Sequence, residues 1–182
     1  MAQNLRLRFR DGLLNLHDIG YLSVDVYQLV AFSQTLADEN VAEAERWFGE
    51  SARPFNRFAP VLERYARMSP VTDARRDSIE LWMEVGNLAA AIIVPLVAVY
   101  VQRELGNPEI NFQIGVDDQV VQRAIDAYEK GGFGRGPRAL EGLCDYLRQR
   151  ERNVQLVGDN SVLIDEVLAR YAKRMVRTIR RP

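Results

Sequence analysis

Side chains that could act as acids, bases or nucleophiles are few and scattered in this sequence. His17 is the only histidine and is next to Asp18, so neither a histidine-rich metal site nor a second histidine base is available. Two pairs of adjacent carboxylates occur, Asp117-Asp118 and Asp165-Glu166. Neighbours on a helix do not face each other, and helix capping explains the first pair, with Asp117 as the expected cap. We therefore expect a protein that is not an enzyme and has no metal or cofactor, with His17 in a structural role.

A glycine-rich loop with two arginines is a second candidate for chemistry. It reads Gly-Gly-Phe-Gly-Arg-Gly-Pro-Arg from Gly131 to Arg138. Arg135 and Arg138 stand near an expected helix N-terminus, an arrangement that can hold a phosphate. A dinucleotide fingerprint would follow a strand, whereas this loop follows a helix and has Pro137 in place of the last glycine. Two interpretations stay open: a helix C-cap with a linker, or a contact to an anion or RNA phosphate.

The C-terminal segment concentrates positive charge that the net charge of -1 conceals. The cations are Lys173, Arg174, Arg177, Arg180 and Arg181. Cations in the last turns of a helix interact favourably with its dipole and often form a solvated face. The same cluster is also typical of a surface that binds nucleic acid or anionic lipid.

The apolar run Leu88–Val101 is the most unusual segment. It holds 14 residues without a charge, or about 21 Å of helix against a hydrocarbon core of about 30 Å. We expect a central helix buried in the fold. The alternative is a helix that leaves the core after a trigger, either to enter a membrane or to form an oligomer interface. The residues that would then be used are Leu88, Ile92, Ile93, Leu96, Val97 and Val101.

Strict alternation of leucine or phenylalanine with arginine predicts a strand over Leu5–Arg10. Asp11-Gly12 is a favoured hairpin turn, which predicts a returning strand to about His17. Ser23 as N-cap then predicts a helix over Val24–Asp38.

The middle of the chain combines helical and strand patterns. We predict a short helix over Val41–Glu50 and a strand over Ser78–Val85, which precedes the apolar helix. Val61–Met68 fits either a helix or a strand. A short strand over Ile110–Ile114 is compatible with the pattern as well.

Helical spacing dominates the last third of the chain. One helix is expected from Asp117 to Gly131-Gly132, a second opens at Pro137, and a long amphipathic helix starts at Ser161. Val154–Val157 is a candidate strand between them.

Length and composition indicate one globular domain over residues 1–182. A chain of 182 residues buries about two-thirds of its unfolded surface, and its 47% hydrophobic and 27% charged residues are ordinary values. We predict an α+β fold with an N-terminal β-hairpin and a small antiparallel or mixed sheet packed against several helices. The apolar helix would be central and the C-terminal amphipathic helix long.

Cysteine content and the N-terminus predict a cytoplasmic location. Cys144 is the only cysteine, which excludes an intramolecular disulfide and a thiolate metal cluster. Residues 1–4 lead directly into the alternating segment without an apolar signal region.

The order of elements resembles small bacterial proteins of defence or toxin-like contexts. The resemblance covers about the first 105 residues and depends on a helix opening at Ser23-Val24-Asp25 and a strand with Ser78-Ile79-Glu80-Leu81 before the apolar helix. Those proteins carry Gly-Ser where this chain has Asp77-Ser78. The resemblance implies a membrane effector and transfers no site residues.

Three functions follow as hypotheses. The first is a non-enzymatic bacterial interaction or assembly protein that self-associates or joins a complex. The second is a membrane-acting effector or toxin that releases the helix of residues 88–101. The third is a nucleic-acid-binding accessory protein that uses the arginine-rich C-terminal helix.

Overall fold

The computed structural model describes residues 3–9, 16–49, 71–75, 79–106, 112–147 and 151–180. In these ranges the chain forms four strands and seven helices. The strands are β1 (Gln3–Phe9), β2 (Val71–Arg75), β3 (Ile79–Val85) and β4 (Phe112–Val116). The helices are α1 (Leu16–Ala37), α2 (Val41–Phe48), α3 (Leu88–Leu105), α4 (Gln119–Glu129), α5 (Pro137–Leu147), α6 (Arg152–Asp159) and α7 (Ser161–Ile179).

The four strands form one antiparallel sheet in the order β2-β3-β1-β4. Leu5 stands opposite Met83 on β3 and Val116 on β4, so these three side chains share the face that packs into the core. The alternation predicted for β1 is confirmed, because Leu5 and Leu7 are buried and Arg6 and Arg8 are only half-buried. The α+β class is therefore confirmed, and the sheet is antiparallel.

The predicted N-terminal hairpin is wrong. β1 pairs with β3 on one side and β4 on the other, so no position beside it is open to a returning strand. Leu16 and His17, assigned to that strand, are the first residues of α1. Leu14 and Leu16 fit the alternating apolar and polar pattern of a strand, but β3 and β4, from later in the chain, occupy both sides of β1. Asp11-Gly12 lies outside the described residues.

Helix α1 begins before the predicted N-cap. Ile19, Leu22 and Val26 are buried at helical spacing, and this pattern continues through Ser23. Packing of that apolar face extends the helix upstream, so a serine that would suit a cap lies inside the helix instead.

Three further differences concern short segments. Val154–Val157 is not a strand but part of α6, where Val154 and Val157 are buried one helical turn apart. Short apolar runs fit both periods, and here packing selects the helix. The strand expected over Ile110–Ile114 is found two residues later as β4, and β2 was not predicted. Val61–Met68 lies outside the described part of the chain.

Helix α3 is the core of the fold, as predicted. It packs most extensively against α7, α1 and β4, and 14 of its 18 residues are buried. The Asn87 side chain caps its first turn, and Gly106 ends it with φ of 62°. By length and composition α3 is long and apolar enough to cross a membrane, but 78% of it is covered by the rest of the protein.

Candidate binding cleft at the sheet edge

Strand β4 has β1 on one side and forms an edge of the sheet described above. The Asp117 amide donates to the Asn4 carbonyl at 3.2 Å, which continues the ladder between β4 and β1. Hydrogen-bonded pairs alternate along an antiparallel ladder, so Gly115 and Gln113 also direct their backbone groups toward β1. The backbone groups of Ile114 and Val116 must then point away from the sheet. The amide of Val116 confirms this direction, because it donates to Oε1 of Gln122 on α4 at 2.8 Å.

A cleft of about 230 Å³ lies between this edge and α4. Its lining combines an apolar floor with a polar rim. The floor is formed by Pro95, Ala98, Val99, Phe112, Ile114 and Ile125, and the polar side chains are Arg6, Arg8, Gln113, Gln122, Asp126 and Glu129.

The local sequence explains why this edge borders a cleft. β4 reads Phe-Gln-Ile-Gly-Val, without the charges or proline that commonly protect an edge strand. Gly115 contributes no side chain, and Gln122 lies on α4 beside it, bonded to Asp126 at 2.8 Å. Sequence reasoning missed this site. Its signal was an uncharged strand placed directly before a capped helix.

The C-terminal cations, predicted as one group, have different environments in the structure. Arg174 pairs with Asp25 on α1 and donates to Gln28 at 3.0 Å. Arg180 donates to the carbonyls of Glu104 and Leu105 at 3.3 and 3.1 Å, at the end of α3. Lys173 and Arg177 are exposed, and Arg181 lies outside the described residues. Two of the five cations therefore fasten α7 to other helices.

Asp25 is the centre of a buried polar network between α1 and α7. It is 1% exposed, and Gln28 beside it accepts hydrogen bonds from Arg174 and from the Tyr171 hydroxyl, the latter at 3.0 Å. Burial raises the pKa of Asp25 to about 6, since it disfavours the ionised carboxylate more than contact with Arg174 favours it. Burial likewise raises the pKa of Tyr171 to about 12.

The free energy of unfolding is expected to fall as pH rises from 4 to 7. The Asp25 carboxyl has an ordinary pKa of 3.8 and a pKa of about 6 in the folded chain. The folded state therefore binds the proton more tightly than the unfolded state does. The stability that this proton contributes is full below pH 3.8 and is lost as the pH rises through 6. A shift of two pKa units corresponds to about 3 kcal/mol. Urea unfolding at pH 4, 5, 6 and 7 measures this change in the free energy of unfolding, with Asp25→Asn as the non-titrating control. Parallel pH profiles for the two proteins would contradict the assignment.

The glycine-rich loop connects α4 to α5 and is anchored by aromatic side chains. Phe133 lies between Tyr128 and Tyr146, with ring centroids 6.4 and 5.5 Å away. Arg103 donates to the carbonyls of Tyr128 and Gly134 at 3.0 and 3.4 Å. The loop thus ends one helix and links it to the next, as one interpretation predicted. Arg135 and Arg138 are exposed, and their contact with an anion stays a prediction.

Tyr100, Tyr128 and Asp165 join three helices at a polar contact that sequence reasoning missed. The Tyr100 hydroxyl donates to Oδ1 of Asp165 and lies 3.3 Å from the Tyr128 hydroxyl. Burial raises the pKa of Tyr100, and the hydrogen bond to Asp165 raises it further. The phenol therefore stays protonated at neutral pH and acts as a structural donor.

The adjacent carboxylates Asp117 and Asp118 have structural partners, and the side chain of His17 lies outside what the structure describes. Asp118, rather than Asp117, caps α4, accepting from the Val120 and Val121 amides at 2.9 and 3.1 Å. Asp117 instead binds the amide and side chain of Asn4 at 3.1 and 3.0 Å. Burial raises the pKa of Cys144 to about 12, so its thiol is protonated. Among the described residues, no group of three or more His, Cys, Asp or Glu side chains could hold a metal ion.

Comparison of this chain with protein-family models, with curated proteins and with solved structures finds no match in any of the three. The geometry of the cleft and of the β4 edge is therefore the basis for assigning a function.

Proposed function

We propose that this chain is a non-catalytic interaction protein that joins a larger assembly through the cleft beside β4. The observation that carries the proposal is the outward direction of the Ile114 amide and carbonyl above an apolar floor. Backbone groups at an open strand edge are a template for pairing with another chain. An apolar centre with a polar rim is also the usual anatomy of a protein interface.

The size of the cleft favours a protein partner over a small molecule. Its volume of about 230 Å³ is below the range of about 300–1,000 Å³ that is usual for ligand pockets. A partner that extends along the strand edge can use the outward backbone groups as well as the floor.

The burial of α3 supports a function at the surface of the folded chain. Six α3 residues were the candidates for a membrane or oligomer helix: Leu88, Ile92, Ile93, Leu96, Val97 and Val101, and all are buried. Exposing a buried apolar side chain costs about 1.5–3 kcal/mol. Exposing all six to water would cost roughly 9 kcal/mol or more, which is comparable to the whole stability of a domain, about 5–15 kcal/mol. Release of α3 would therefore require a membrane or a partner that covers these side chains again.

Site-specific photo-cross-linking tests the proposal. A photoreactive residue in place of Gln113, which is exposed on β4, is compared with the same residue in place of Val162, which is exposed on α7. We expect discrete adducts from position 113 in the source cells, absent from position 162.

Light scattering of the purified chain, with and without lipid vesicles, gives its mass at micromolar concentration. A monomer with no adduct specific to position 113 would contradict an assembly function, and binding to vesicles would favour the membrane hypothesis.

A further inference from the structure

We infer that the N-terminus of α3 binds a small oxyanion, a phosphate or carboxylate group, through the amides of Leu88 and Ala89 and the side-chain amide of Gln34. None of these three residues lines the cleft beside β4, so the inference goes beyond the proposed function and does not depend on it.

Gln34, on α1, carries a buried donor that lacks an acceptor. The residue is 6% exposed, and its Nε2 atom is buried without a hydrogen-bond partner in the part of the chain that the structure describes. A buried amide donor of this kind is rare in folded proteins, because it has lost its hydrogen bonds to water without replacing them. An acceptor from outside the chain is therefore expected at this position.

A chain of hydrogen bonds determines which way the Gln34 amide faces. The Ala90 amide donates to Oδ1 of Asn87 at 2.8 Å, so the Nδ2 atom of Asn87 is left as a donor. That Nδ2 atom donates to Oε1 of Gln34. Reversing the Gln34 amide would place two donors face to face, so Nε2 has to point away from Asn87 with its protons unused.

The Nε2 atom of Gln34 lies at the first turn of α3. Gly86 directly precedes the N-cap Asn87, and a Cβ atom added to Gly86 would stand 3.4 Å from Nε2. The first amides of a helix have no acceptor within the helix, and here the Asn87 side chain serves the third of them. The amides of Leu88 and Ala89 are therefore the donors that α3 leaves for a ligand at this end.

Donors without acceptors define the chemistry of the ligand. α3 has 18 residues, and its dipole places partial positive charge at the same end. Backbone amides at a helix N-terminus are a ready binding site for phosphate and carboxylate groups, and a buried side-chain amide supplies a third donor here. A ligand with negative charge and several acceptor oxygens fits this set of donors best.

Access and space restrict the ligand to a small group. Gly86 is exposed and has no side chain, whereas Asn87 and Leu88 are only 8% and 7% exposed. Glu84 is exposed on β3 two residues earlier, so solvent screens its charge. A single oxyanion can approach over Gly86, and because the three donors are uncharged, we expect binding in the millimolar range.

An NMR titration of the intact chain tests the site with inorganic phosphate, acetate and chloride at equal ionic strength. We expect phosphate to cause saturable shifts of the Leu88 and Ala89 amide signals and of the Gln34 side-chain amide. Saturation by acetate as well extends the site to carboxylates, and a response to phosphate alone restricts it to phosphate groups. No saturable shift with either oxyanion, or an equal response to chloride, would overturn the inference.

Gly86→Ala is the variant that tests the geometry. It places a methyl group over Nε2 of Gln34 and leaves all three donors in place, and Gly86 has no positive φ that would exclude alanine. We expect phosphate to bind about tenfold more weakly. Gly20→Ala is the matched control on α1, where the added methyl group meets no described atom within 4 Å, and it should leave binding unchanged.

Gln34→Glu tests the donor itself, because it replaces Nε2 by an oxygen and keeps an acceptor for Asn87. Phosphate binding should weaken by about tenfold or more. If this variant does not fold, the comparison of Gly86→Ala with Gly20→Ala still decides. Equal phosphate binding by the wild type and Gly86→Ala would contradict the site. A long-lived water at the Gln34 side-chain protons that phosphate does not displace would show that water is the acceptor, and would overturn it too.

Discussion

Val94→Asp is expected to abolish cooperative folding. Val94 lies in the middle of α3 and is 0% exposed. An ionised carboxylate placed there without a partner costs several kcal/mol of desolvation, and the apolar contacts of the valine are lost as well. Together these approach a typical domain stability of about 5–15 kcal/mol. Thermal unfolding followed by circular dichroism should show a cooperative transition for the wild type and none for the variant.

Val162→Asp is the matched control. Val162 is 59% exposed in the first turn of α7, where an acid interacts favourably with the helix dipole. Its free energy of unfolding should stay within about 0.5 kcal/mol of the wild type. If Val94→Asp unfolded like Val162→Asp, α3 would not be the core of the fold. Leakage of vesicles caused by the wild-type chain would then favour release of this helix into membranes.

Arg174→Leu is expected to lower the free energy of unfolding by about 3–5 kcal/mol. The substitution leaves Asp25 buried without its cation, although α1 and α7 remain packed around it. The pKa of Asp25 then rises above its folded value of about 6, because burial is no longer opposed by a nearby positive charge. Urea unfolding at pH 7 measures the loss as a lower midpoint at unchanged slope.

Two further variants distinguish the effect of the ion pair on stability from the effect of a substitution on the exposed surface of the helix. Asp25→Leu combined with Arg174→Leu removes both charges, and buried ion pairs can often be replaced by apolar residues without loss, so most of the stability should return. Arg177→Leu, exposed on the same helix, should change stability by less than about 0.5 kcal/mol. If Arg174→Leu were as stable as Arg177→Leu, the pair would not hold α7 to α1.

The arrangement of α7 changes how its positive charge is interpreted. Arg170 donates to the carbonyls of Phe48 and Gly49, at the end of α2, so with Arg174 and Arg180 it connects α7 to three other helices. Nucleic-acid binding by this helix stays a hypothesis. Lys173, Arg177 and Arg180 are the exposed cations of this helix and its C-cap in the described range, and such binding would weaken steeply with salt.

Local patterns alone determined much of the secondary structure. Alternation of apolar and polar residues located β1 and β3, and the charge-free run Leu88–Val101 located α3. Pro137 marked the start of α5. These assignments succeed because a repeat of 2 or 3.6 residues and the chemistry of a helix end depend only on neighbouring residues.

Tertiary structure alone decided which segments meet. β1 pairs with β3 and β4 from later in the chain instead of with the hairpin partner that its sequence favours. Arg174 meets Asp25 across 149 positions, so an arginine that looked like part of a solvated face is partly buried against a buried carboxylate. The cleft likewise needs β1, α3, β4 and α4 together. Pairing of distant segments depends on how much apolar surface each arrangement buries, a property of the whole chain that no local window of sequence contains.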